Sequence, residues 1–86
     1  MHTVEHLEHA LNLAARLGYD IRHEWFGGSG GGGCILKGRR LLLVDLALGT
    51  AEQLDQVLDA LRHDPEAPNF PMPHELRELL RVRCSA

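Results

Sequence analysis

The sequence predicts an α+β domain in the order α-β-β-β-α-α, a three-stranded antiparallel meander with helices packed on one face. Three observations point there. Apolar residues recur every three or four positions in residues 3–17, 50–61 and 74–83, the period of an amphipathic helix. Residues 19–25 alternate apolar and polar, and two short apolar runs follow at 34–37 and 41–46, as strands do. Gly18, the small-residue run 27–33, Gly38 and Gly49 punctuate these segments. With 86 residues, 44% hydrophobic and 24% charged, the chain fits one small globular domain over residues 1–86 with one core.

In the first helix Val4, Leu7, Leu11, Ala14 and Ala15 form a stripe, Thr3 is placed as N-cap, and Glu5 faces the positive end of the dipole. Gly18 is a natural C-terminal stop. The first strand puts Tyr19, Ile21, His23 and Trp25 on one face and Asp20, Arg22 and Glu24 on the other. Tyr19, Trp25, Phe26 and Phe70 are expected to anchor an otherwise aliphatic core.

The run Gly27-Gly28-Ser29-Gly30-Gly31-Gly32-Gly33 is expected to be a wide hairpin loop, since six glycines in seven residues are entropically costly in any regular element. Pairing symmetric about Gly30 sets Cys34 across from Phe26 and His23 across from Lys37. Gly38-Arg39 fits a type II′ turn into the third strand. That strand begins Leu41-Leu42-Leu43-Val44, apolar on both faces, so both faces need cover. At the edge of a meander it invites pairing, and a homodimer through the strand from Leu41 to Leu46 follows as the expectation.

Thr50 and Gln53 read as a capping box ahead of the stripe Leu54, Val57, Leu58 and Leu61. Pro65, Pro68, Pro71 and Pro73 make residues 64–73 a non-helical connection, pinned by Phe70 and Met72. Leu76, Leu79 and Leu80 restore helical spacing.

A net charge of −3 argues against a nucleic-acid footprint, which needs a basic surface. Lys37, Arg39 and Arg40 cluster at one turn and read as its solvated tip. Two cysteines, Cys34 and Cys84, make no disulfide framework. No segment reads as a membrane span or leader, so a cytoplasmic location is expected.

Several residues carry possible chemistry. Gly28-x-Gly30-x-x-Gly33 has the spacing of a dinucleotide fingerprint, but it leads into a strand where the fingerprint needs a helix. Cys34 is expected to be a small buried hydrophobe, and His23 a satisfied histidine on the core side. Asp45, ending its strand, is expected to cap the following turn. His2, His6 and His9 share a helix face with metal-ligand spacing, read as outward-facing and solvated. His74 and Glu78 sit one turn apart, as in a His-Glu-x-x-His motif whose second His is replaced, and no third ligand is evident. No cofactor is expected.

Over residues 19–61 the order of elements resembles the front of zinc-dependent peptidase domains, where a twisted strand set precedes the ligand-bearing helix. Here that helix reads Gln53-Leu54-Asp55-Gln56-Val57 and carries no ligand, so the resemblance implies no metal activity.

Two functions are consistent with these residues. The first is a non-enzymatic binding or regulatory module acting through protein–protein contact or homodimerisation. The second is a small-ligand or enzymatic site built around the glycine loop with Cys34, His23 and Asp45. Gly30, Gly31, Gly32, Cys34, His23 and Asp45 are the candidate contact residues in both.

Overall fold

The structure is a computed structural model and describes residues 3–28 and 31–81. It has three α-helices, α1 (Thr3–Arg16), α2 (Thr50–Arg62) and α3 (His74–Arg81). Three strands, β1 (Asp20–Glu24), β2 (Gly32–Leu36) and β3 (Arg39–Asp45), form one sheet. The class is α+β, but the sheet is mixed rather than an antiparallel meander. Its spatial order is β1-β3-β2, with β1 parallel and β2 antiparallel to β3.

The third strand is therefore central, so its backbone is paired on both sides, while only the Leu42 and Val44 face of its apolar run lies under the helices. Both of these side chains are fully buried. A dimer formed by pairing at the edge of β3 is ruled out by this order. His23 pairs in register with Val44 and Cys34 with Leu41, not with Lys37 and Phe26, because β1 and β2 never meet.

Helix α1 ends in a Schellman motif: the Tyr19 N–H reaches the Ala14 carbonyl at 3.0 Å and the Gly18 N–H the Ala15 carbonyl at 3.1 Å. Gly18 takes φ +98° to do so, open to glycine without strain. The buried stripe is His6, Leu7, Ala10, Leu13 and Ala14, rotated from the expected one; Val4 is exposed. His6 is thus inside the fold and not on a solvated face.

The β2–β3 turn is centred on Lys37-Gly38, one residue earlier than expected. Both have positive φ, 54° and 78°, the type I′ pattern that matches strand twist. Helix α2 is capped at Gly49 instead of Thr50: the Glu52 carboxylate accepts from the Gly49 N–H at 3.2 Å, and Gln53 Nε2 donates to the Leu48 carbonyl at 2.9 Å.

Helix α2 packs on β2 and β3, and α1 packs on β1 and α2. Helix α3 packs on α1 and α2, so the C-terminal helix does not shield the other face of the sheet. The core joins Leu13, Leu42, Leu61 and Leu76, all essentially inaccessible. Phe70 and Met72 pack against it from the proline connection, where Arg77 donates to the carbonyls of Pro68 and Phe70. Among the described residues no helix is long and apolar enough to cross a membrane.

Candidate functional site

Residues 25–28 leave β1 at the C-terminal end of β3, and Gly31 leads into β2 on the other side of β3. Asp45 holds the start of the glycine run. One carboxylate oxygen of this inaccessible side chain accepts from the N–H groups of Phe26 and Ala47, both at 2.9 Å; the other accepts from Gly28 at 2.8 Å. A nucleotide-binding glycine loop points its free amides at phosphate. Here the amides of Phe26 and Gly28 already face a carboxylate, whose charge would also repel an anion.

The far end of the run lies against α2. A Cβ at Gly31 would sit 2.7 Å from the Gln56 side chain, and one at Gly33 would sit 2.9 Å from Ala60 Cβ. Gly31 and Gly32 also take φ of +99° and +107°. The glycines permit a close approach between backbone and helix, so this part of the run is not a slack loop. Two of them belong to β2 itself.

A polar cluster sits beside the β2–α2 groove and was not legible in the sequence. The buried Asp64 carboxylate accepts from Tyr19 Oη at 2.9 Å, from Arg40 at 3.3 Å and from the Glu66 N–H at 2.9 Å. Arg40 also donates to the Leu17 carbonyl and lies 5.8 Å above the Tyr19 ring. Tyr19 lies in the α1–β1 connection, Arg40 in β3 and Asp64 just after α2, and no local pattern joins them. The groove beside them, about 370 Å³, is lined by Gly33, Ile35, Ala60, Asp59 and His63 among others.

Burial, reinforced by the Asp64 hydrogen bond, pushes the Tyr19 hydroxyl up to about 12. Its folded value lies above the ordinary 10, so the stabilisation it contributes is complete below pH 10 and is lost as pH rises from about 10 to 12. Tyr19 is the only tyrosine, and an absorbance titration should show tyrosinate appearing in that window together with loss of stability. Tyr19→Phe should remove the alkaline step. Tyrosinate formation near pH 10 without loss of structure would contradict the hydrogen bond.

The candidate residues do not converge. His23 lies exposed on the β1 edge, because the helices stop short of it. Cys34 is exposed at the middle of the β2 edge, because its register with Leu41 turns it away from the helices and no other described strand pairs with that edge. The two are separated by β3, about 10 Å across the sheet and about 10 Å along it, and lie on opposite faces by their register with Val44 and Leu41. Asp45 serves the glycine run. Gly30 and His2 lie outside the described residues, as does Cys84.

His9 is exposed while His6 is buried. His74 and Glu78 stand 4.0 Å apart, both well exposed, and Glu78 also pairs with Arg81. Among the described residues no group of three or more His, Cys, Asp or Glu is placed to hold a metal ion.

What the fold leaves uncovered is apolar. Leu41 and Leu43 of β3 and Cys34 and Leu36 of β2 point away from the helices by strand alternation. Leu36 is 56% exposed, Ile35 74% and Trp25, an expected core anchor, 73%. Trp25 falls just past the end of β1, beyond the reach of the helix layer. The same uncovered face turns polar at β1, where Arg22 pairs with Asp20 at 3.2 Å. No protein-family model matches the chain, and no curated protein or solved structure matches it either.

Proposed function

We propose that this chain is a non-enzymatic binding module that acts through protein–protein contact, forming a homodimer on the β2 side of its sheet. The observation that carries the reading is the exposed apolar pair Ile35 and Leu36 on the uncharged outer strand β2, beside the half-buried Leu41 and Leu43 of β3. Contiguous apolar surface of this kind marks contact sites on small domains, and its burial stabilises a complex by about 25 cal/mol per Å². The dispersal of His23, Cys34 and Asp45 supports contact over catalysis. The exposed thiol of Cys34 suits a reducing compartment, and we assign the module to the cytoplasm on that ground.

Light scattering across a concentration series tests the reading. The expected mass is twice the 9.6 kDa of one chain, falling towards one chain on dilution. Leu36→Glu should weaken the association at least tenfold while leaving helix content unchanged. A monomer at every concentration would overturn the proposal.

A further inference from the structure

We propose that two copies join at β2, each strand pairing antiparallel with its counterpart about a twofold axis at Cys34 to make one six-stranded sheet. The proposal rests on the self-association argued above and adds its edge-to-edge geometry and its register.

The backbone provides the first argument. Leu36 and Arg39 flank the two-residue turn, so they form a hydrogen-bonded pair. Pairs alternate along an antiparallel ladder, so Leu36, Cys34 and Gly32 bond inward to β3. Gly33 and Ile35 then present their N–H and C=O groups outward along an edge that pairs with no other described strand. An axis at Cys34 sets Gly33 opposite the partner's Ile35 and Ile35 opposite the partner's Gly33, and each pair exchanges two hydrogen bonds.

The two edges of the sheet differ in protection. The β1 edge carries Asp20, Arg22, His23 and Glu24, whereas β2 reads Gly32-Gly33-Cys34-Ile35-Leu36 with no charge at all. Charged edge residues discourage strand addition, and an uncharged apolar edge invites it.

Side-chain size identifies the occupant as a second copy. The strand is small at one end and large at the other, and antiparallel pairing about Cys34 sets Leu36 against Gly32 and Ile35 against Gly33 on both sides of the axis. A parallel copy would stack isoleucine on isoleucine and glycine on glycine. The partner's Ile35 enters the groove beside Gly33 and Ala60. The partner's Lys37, opposite Gly31, brings positive charge to a groove that Asp59 lines.

The pairing predicts a covalent signature. Cys34 faces itself at a non-hydrogen-bonded position, where Cα atoms lie about 4.5 Å apart, inside the range a disulfide spans. With Cys84→Ser, only Cys34 remains. Two Cys34 thiols give two protons and two electrons to oxidised glutathione, forming one disulfide and two glutathione thiols.

The expected result is rapid, near-complete covalent dimer, at least tenfold faster than in a control carrying Cys34→Ser, Ile35→Cys and Cys84→Ser. In the control the two cysteines would be roughly 8 Å apart on the helix side, from the strand spacings. Ile35→Lys should leave the fold intact and yield a monomer in light scattering. Equal crosslinking rates in a protein that still scatters as a dimer would overturn this pairing and leave self-association standing. A scattering monomer with slow crosslinking at both positions would overturn both.

Discussion

Asp45→Ala is expected to remove about 3–5 kcal/mol of stability, since each hydrogen bond to a charged group contributes roughly 1.5–3 kcal/mol. The N–H groups of Phe26, Gly28 and Ala47 all end on this carboxylate, and partial relaxation of the glycine run keeps the sum below the maximum. A domain of this size has about 4–13 kcal/mol in total, so the melting temperature should fall by roughly 15 °C or more. Asp45→Asn keeps one acceptor oxygen and should lose less. Denaturant melts measure the loss, and amide exchange at Phe26, Gly28 and Ala47 localises it. A loss under about 1 kcal/mol would show that the carboxylate does not latch the run.

Gly33→Ala should cost about 1–3 kcal/mol, the usual range for an overpacked contact. Elsewhere in a strand, replacing glycine by alanine often stabilises, by restricting the unfolded chain. Here the new methyl would meet Ala60 Cβ at 2.9 Å, and an alanine methyl cannot rotate away. Helix α2 or strand β2 must shift. Pairing the change with Ala60→Gly should recover part of the loss beyond what the helix propensity of glycine takes away. Such recovery in a double-mutant cycle is the sign of a direct contact. Additive losses would mean that the helix does not rest on this strand.

The helices were legible because their apolar period is local, although α1 is rotated so that His6 is buried and Val4 exposed. Residue polarity alone misassigned that edge of the stripe. The sheet order was not legible. Sequential strands usually pair directly, and a glycine run between two of them reads as a hairpin loop. Nothing local reveals that its two ends lie on opposite sides of β3, although the apolar run Leu41–Val44 did set β3 apart from the other strands. Asp45 stood out as a carboxylate ending an apolar strand, but its N–H donors Phe26 and Gly28 come from across the sheet. The Tyr19–Arg40–Asp64 cluster depends wholly on tertiary approach. Cys34 was expected inside because a free cysteine usually is, and it lies outside because its register with Leu41 turns it to the face away from the described helices.

Site-resolved amide exchange at low and high protein concentration tests self-association through β2 most directly. The account predicts that the Cys34 N–H, bonded inward to β3, is protected at both concentrations, whereas the Gly33 and Ile35 N–H groups exchange fast when dilute and become protected when concentrated. Gly33 and Ile35 amides whose exchange does not change with concentration would contradict it.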